Sequence, residues 1–284
     1  MIPASFDYLK PSTVEDAVAA LAEAGDEAKV LAGGQSLLPV LRLRLAAPTL
    51  LVDLGGLAQL RGVRDEGDSL VIGAMTTHAE LASSDAVRSG APLLAIAAGK
   101  VGDRQVRHLG TIGGSLAHAD PAGDLPAVAL ALEATMVLSG PGGRRSVGAG
   151  EFFTDYFTTA LAADELLIEV HVPKLAGWGV HYEKFHRTAQ AWATVGVAAA
   201  VRRENGTIAE ARVALTNVGP TPVRAVAVEQ ALTGAAASAE AVAEAAGHAA
   251  DGTRPTSDLG ASAEFREHLA RVLTRRAVLA AAGL

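Results

Sequence analysis

The chain has 284 residues, and at roughly 150 residues per domain that length favours two domains, each long enough to bury a core. Hydrophobic residues make up 50% but aromatic ones only 4%, so the cores must be built from Ala, Val and Leu, and a disordered chain is excluded. Asp plus Glu number 31 against 24 Lys plus Arg, a formal charge of -7, which leaves no basic field for nucleic acid or an anionic membrane surface.

Ser12 to Ala24 places Val14, Ala17, Val18 and Leu21 on one face, with Ser12 and Glu15 spaced as a capping box before Gly25, so a helix is predicted there. Lys29 to Ala32 is short and apolar, Gly33-Gly34-Gln35-Ser36 follows, and Leu37 to Leu45 has helical spacing; this predicts strand, glycine turn, helix. Thr49 to Leu54 and Ser69 to Ala74 are strand-like, and Thr76 to Val87 and Pro92 to Val101 are helical. A charged stretch, Asp103 to His108, leads to a second glycine turn, Gly110 to Ser115. Leu125 to Leu132 reads as a helix capped by Asp124, and Thr135 to Ser139 as a strand ending in a Gly140 to Gly143 turn.

Leu166 to Val172 is a further predicted strand, and the aperiodic Pro173 to Gly179 stretch is the best boundary, with a second domain starting near Trp178. Thr194 to Arg203 and Thr207 to Asn217 flank Asn205-Gly206, the strongest hairpin signal in the chain. Helices follow at Arg224 to Leu232, Ala239 to Ala250 and Ser262 to Ala282. Alternating helices and strands give a mixed α and β class.

The absence of cysteine removes disulfides, thiolate zinc sites, cysteine nucleophiles and any iron–sulfur cluster ligated by this chain. His118 and Asp120 lack further ligands at metal-like spacing, so no metal and no catalytic residue is assigned. No leader pattern and no uncharged stretch of about 18 residues is evident; the expectation is a cytoplasmic protein with no membrane span.

The glycine pairs are more informative. A Gly pair lets backbone N–H groups approach an anion, and a helix start behind it adds a favourable dipole, which suits a diphosphate. Gly33-Gly34 alone is a weak signal, since a tight strand-to-helix turn explains it; two such turns, with Ser36 and Ser115 at matching places, invite a shared ligand. Asp124 reads either as a carboxylate for a ribose or amine, or as a plain helix cap.

Taken together, Ala32-Gly33-Gly34-Gln35-Ser36, Gln105-Val106-Arg107, Thr111-Ile112-Gly113-Gly114-Ser115 and Asp120-Pro121 with Asp124-Leu125 resemble the FAD-binding medium subunit of molybdenum hydroxylases. That family includes the medium subunit of aerobic carbon monoxide dehydrogenase and the flavin domain of xanthine dehydrogenase. The resemblance spans the chain, from Phe6, Tyr8 and Pro11 through Ile72-Gly73-Ala74 and Thr76-Thr77 to Glu165-Leu166-Leu167.

The resemblance implies an α+β fold: a p-cresol methylhydroxylase-type FAD-binding domain of two subdomains over residues 1–176, then a smaller α+β C-terminal domain over 177–284. It implies that Val30, Leu31, Ala32, Gly33, Gly34, Gln35, Ser36 and Leu37 wrap the FAD diphosphate, and that Thr111, Ile112, Gly113, Gly114 and Ser115 form a second wall. Asp124 would hold the adenosine end or its ribose. Leu167 and Lys184 would lie near the flavin ring, where a lysine stabilises negative charge on the reduced isoalloxazine. Val101 occupies a position that is aromatic in some relatives, and Trp192 one where several keep a tyrosine beside the ring; a core tryptophan is the other reading of Trp192.

The function implied is that of a flavoprotein oxidoreductase subunit, taking electrons from [2Fe-2S] clusters of a small subunit onto FAD and passing them to an external acceptor. Molybdopterin would sit in a large subunit, and the assembly would be a dimer of heterotrimers. Quinone, NAD, oxygen and a carrier protein all stay open as the acceptor. Two other readings are a self-contained FAD oxidoreductase of the same fold and a flavin-free scaffold subunit.

Overall fold

In the computed structural model, which describes residues 2–284, the chain opens with β1 (Asp7–Leu9), β2 (Ala28–Leu31) and β3 (Leu50–Asp53). They form a parallel sheet in the order β1-β3-β2. Helix α1 (Val14–Ala24) covers it with Val14, Ala17, Val18 and Leu21, the predicted stripe, all buried. Its cap is Thr13, whose Oγ1 accepts from Asp16 N at 3.0 Å, one residue later than the predicted Ser12 box. Helix α2 (Leu37–Arg42) stops earlier than predicted, and Arg44 beyond it has φ +56°.

The second sheet uses β4 (Val63–Asp65), β5 (Ser69–Gly73), β6 (Thr135–Gly140), β7 (Gly143–Gly148) and β10 (Leu166–Pro173) in the order β4-β5-β10-β6-β7. All its pairings are antiparallel. Between β7 and β10, the short β8 (Phe153–Asp155) and β9 (Thr158–Thr159) pair with each other. Helices α3 (His78–Ser83), α4 (Asp85–Gly90), α5 (Pro92–Lys100), α6 (Arg104–Leu109), α7 (Ile112–His118), α8 (Asp124–Ala131) and α9 (Ala149–Phe152) belong to this half. The single helix predicted over Thr76 to Val87 is split, because Ser84 leaves helical conformation to cap α4. The charged Asp103 to His108 stretch is itself helical, with Asp103 Oδ1 accepting from Val106 N at 2.9 Å.

The C-terminal half has β11 (Gly179–Phe185), β12 (Val195–Glu204), β13 (Thr207–Thr216) and β14 (Val223–Arg224), antiparallel in chain order. Asn205 and Gly206 have φ +49° and +81°, as a two-residue hairpin turn with both central residues at positive φ requires. Helices α10 (Val226–Leu232), α11 (Ala239–Ala246) and α12 (Ala263–Ala282) follow. One face of β12 and β13 packs Val195, Val197, Ala199 and Val213 against α12 and α10. The other face turns Ala198, Ala200 and Ala214 into the core of α5 and α8. These alanines let the helices lie close to the strands, which is how a chain poor in aromatics reaches native packing.

Several bonds tie the two halves together. Thr216 Oγ1 lies 2.8 Å from the Pro121 carbonyl and 2.6 Å from that of Gly123. Glu133 accepts from Arg224 at 3.2 Å and pairs with Arg212 at 3.1 Å. Among the described residues, no helix is long and apolar enough to cross a membrane.

Candidate functional site

The first glycine turn leaves β2 and enters α2. Gly34 sits at φ +70°, a conformation costly for any residue with a Cβ. Gly33 makes a close approach instead: a Cβ there would lie 2.2 Å from the Leu109 carbonyl oxygen and 2.7 Å from Gly110 Cα. The turn is therefore pressed against the segment that leads into the second one. Among the described residues, no protein acceptor takes the N–H of Gly33, Gly34, Gln35, Ser36 or Leu37. Five consecutive half-buried amides without a protein acceptor at a helix start make a cradle for an anion.

The second turn is built differently, as the capped start of α7. Thr111 Oγ1 accepts from Gly114 N at 3.1 Å. Ile112 N donates to the Thr76 carbonyl, Gly113 N to that of Ala74 and Ser115 N to that of Thr111. These amides are spent inside the protein, so the symmetry suggested by two glycine pairs is not one of function. Gly113 is required by packing, since its Cβ would fall 2.5 Å from Ala74 Cβ. Gly114 is half-buried and looks across to Ala32, 3.4 Å from the position of a Cβ. The Ser36 and Ser115 hydroxyls carry no protein bond among the described residues and are half-buried.

Asp124 is the first residue of α8, and Gly123 is the cap, so the plain-cap reading fails. Its Oδ1 accepts from the Tyr182 hydroxyl at 2.6 Å and its Oδ2 from Lys184 Nζ at 2.7 Å. The side chains of Asp124 and Lys184 are each 3% exposed. Burial pushes the Asp124 carboxyl above its usual range, and the lysine and the tyrosine pull it back. Lys184 Nζ donates again to the Lys100 carbonyl at 3.2 Å, one residue before Val101. Asp124 and Lys184 therefore form one unit. They cannot serve opposite ends of an extended dinucleotide, as the sequence reading has them.

Leu167 is buried in β10 beside a bulge. The next carbonyl, of Ile168, takes the Ala74 N–H at 3.0 Å, which ties this strand to Gly113. Trp192 is 53% exposed, so the core reading of that residue does not hold. Sequence reasoning missed Tyr182 and Lys100; only a Tyr-x-Lys spacing on a strand with no predicted place marked the former. It also missed His78, fully inside the fold beside Gly110, whose Nδ1 has no partner. Burial, with Arg107 adding to it, lowers its pKa to about 4.

A surface cavity of about 410 Å³ is lined by Arg61, Arg88, Arg104 and Arg107. Arg61 is spent on Glu80, Arg88 on the Ala82 carbonyl, and Arg107 on the Val101 and Gly102 carbonyls. None of residues 30–37 or 111–115 lines it. The amide cradle and the Asp124–Lys184 pair are the better candidates for cofactor contact.

Comparison with known proteins agrees with that geometry. Residues 4–175 match the family described as the FAD binding domain in molybdopterin dehydrogenase, and residues 180–281 the CO dehydrogenase flavoprotein C-terminal domain. The carbon monoxide dehydrogenase medium chain of Hydrogenophaga pseudoflava is 45% identical over 99% of this chain and 98% of its own. A solved carbon monoxide dehydrogenase from that organism, which lacks the Mo-pyranopterin moiety, superposes with a TM-score of 0.97 at 47% identity, covering 99% of this chain and 98% of that one. Quinoline 2-oxidoreductase from Pseudomonas putida 86 gives a TM-score of 0.95 at 34% identity, covering 100% and 99%. The amide cradle, the α+β halves and these matches converge: the chain belongs to the FAD-binding medium subunits of the molybdenum hydroxylases, the family of the carbon monoxide dehydrogenase medium chain.

Proposed function

We propose that this chain is the flavin station of a molybdenum hydroxylase assembly, receiving electrons from iron–sulfur clusters of a small subunit and releasing them to an external acceptor. The observation that carries the reading is the run of five unspent amides at Gly33 to Leu37, the donor set a diphosphate requires. Val30 to Leu37 hold the diphosphate, and Thr111 to Ser115 line the opposite wall, offering the Ser115 hydroxyl. The Asp124–Lys184 pair, Val101 and Leu167 serve the flavin end. FAD, when bound, supplies the one- and two-electron chemistry that no side chain here provides.

With no cysteine, the chain leaves the clusters to a small partner, and molybdopterin to a large one; two such heterotrimers would pair. Cysteine is absent, so no thioether tether to the flavin is open, and the FAD is held without a covalent bond.

The test has three readings. The purified chain, incubated with FAD, should turn yellow, and acid precipitation should leave the colour in the supernatant. The chain alone should reduce an artificial dye from a chemical reductant yet turn over no hydroxylase substrate. Co-purification should bring an iron–sulfur subunit and a molybdopterin subunit with it. Substrate turnover by the lone chain at the rate of the complex would overturn the reading in favour of a self-contained oxidoreductase.

A further inference from the structure

Tyr182 is fully buried, and its hydroxyl donates 2.6 Å to Asp124 Oδ1. The strand opposite makes room for it: a Cβ at Gly196 would fall 2.6 Å from that hydroxyl. The Tyr182 carbonyl accepts from Lys100 Nζ at 2.5 Å, and the Lys100 carbonyl accepts from Lys184 Nζ. A closed ring of bonds therefore runs Asp124, Tyr182, Lys100, Lys184 and back to Asp124. Asp124 and Lys100 come from the N-terminal half, Tyr182 and Lys184 from β11.

A carboxylate out of water persists only when donors satisfy both oxygens. Lys184 supplies one donor and Tyr182 the other. Loss of the hydroxyl leaves Oδ1 bare in a dry site, and the carboxylate then takes up a proton from solvent more readily. Protonation of Asp124 uncovers the positive charge of Lys184, which the ion pair otherwise cancels. The ionisable groups that face Asp124 are Tyr182, Lys184 and His186, all on β11 or just beyond it, with Lys100 one bond further on α5.

We propose that Tyr182 is a positioning residue for the flavin site, its hydroxyl fixing Asp124 so that the carboxylate cancels the charge of Lys184 beside the cofactor. The proposal rests on the flavin reading given above. An uncompensated lysine favours the reduced flavin, which carries more negative charge; a compensated one does not. Tyr182 therefore keeps the reduction potential of the bound FAD low.

The experiment uses the full chain saturated with FAD and titrates its midpoint potential from pH 6 to pH 9. In Tyr182→Phe, which keeps the ring and the packing, the reduced-to-oxidised ratio at a fixed potential should rise about tenfold near neutral pH, about 30 mV for a two-electron couple. The shift should fade toward high pH, where Asp124 ionises again. Asp124→Asn should move the potential the same way at every pH, and it keeps the test decisive if Tyr182→Phe does not fold. A yellow, folded Tyr182→Phe chain with the wild-type profile, or an Asp124→Asn chain with the wild-type potential, overturns the proposal and leaves the flavin reading standing. A wild-type chain that takes up no FAD overturns both.

Discussion

Gly33 lies so close to Leu109 that a Cβ on the glycine would sit 2.2 Å from the Leu109 carbonyl oxygen. Backbone therefore meets backbone where the amide cradle touches the segment leading into α7, and no flexible side chain stands between them to absorb a change. Gly33→Ala should separate the two segments. FAD affinity should drop at least tenfold, more than 1.4 kcal/mol, while far-UV circular dichroism stays native. Equilibrium titration with FAD checks it; wild-type affinity would remove Gly33 from the site.

Gly34 and Gly114 should behave unequally. Gly34 has φ +70°, so Gly34→Val strains the backbone by roughly 1–3 kcal/mol and should release FAD. Gly114→Ala meets only Thr111 Oγ1 at 2.9 Å and Ala32 Cβ at 3.4 Å. Its loss of flavin should be the smaller one, and Gly114→Val, whose branches press further on Thr111 and Ala32, the larger. Flavin absorbance per protein after gel filtration gives the order directly.

His78 sets a pH dependence. Its ring is buried and its pKa lowered to about 4, first by burial and then by Arg107. The unfolded chain protonates near 6.5 and the folded chain does not, so the neutral ring contributes full stability above pH 6.5 and loses it as pH falls toward 4. The loss should reach about 2 kcal/mol by pH 5, on the scale of 1.36 kcal/mol per pH unit. Urea midpoints at pH 7.5 and 5 should diverge in the wild type and converge in His78→Phe. An unchanged divergence in the variant would assign the effect elsewhere.

Much of this architecture is legible in the sequence where a local rule has no competitor. Asn205-Gly206 fixes its hairpin because few other residues adopt two positive φ angles in succession, and the Val14, Ala17, Val18, Leu21 stripe fixes α1. The site is less legible, because chemistry there depends on which amides remain unspent. Gly33-Gly34 and Gly113-Gly114 look alike as letters, yet Ala74 and Thr76 consume the second set through contacts distant in sequence. Asp124 reads as a cap by position, and only the fold brings Tyr182 and Lys184 to it across 58 and 60 residues. Strand β11, which carries both, has its pattern broken by charges at Glu183 and Lys184, one of which is buried in an ion pair and so escapes an apolar-alternation rule.

Thr216 tests how firmly the two halves are joined. It is fully buried, with its hydroxyl within bonding distance of the Pro121 and Gly123 carbonyls just ahead of α8. Thr216→Val keeps the volume and leaves the Gly123 carbonyl without that donor, so stability should fall by about 1–3 kcal/mol. Because Gly123 caps the helix that begins at Asp124, FAD affinity should weaken in parallel. Stability loss with wild-type FAD affinity would show that the junction and the site are independent.

Asp124 and Lys184 are worth a double-mutant cycle, because both side chains are almost wholly removed from water. Removing either partner leaves the other charge buried and unpaired, so Asp124→Ala and Lys184→Ala should each destabilise the fold by about 3–5 kcal/mol. The double replacement Asp124→Leu with Lys184→Met removes both charges and fills the space, so it should recover most of that loss. The Tyr182 hydroxyl is then the one donor left without its acceptor, which sets the recovery short of complete. Flavin content separates stability from function here. If the pair serves the flavin as proposed, the double variant should be folded yet bind FAD poorly, whereas a merely structural pair would return FAD binding along with the fold. Single variants within 1 kcal/mol of wild type would mean that water reaches the pair, and the cancelled charge beside the flavin would lose its basis.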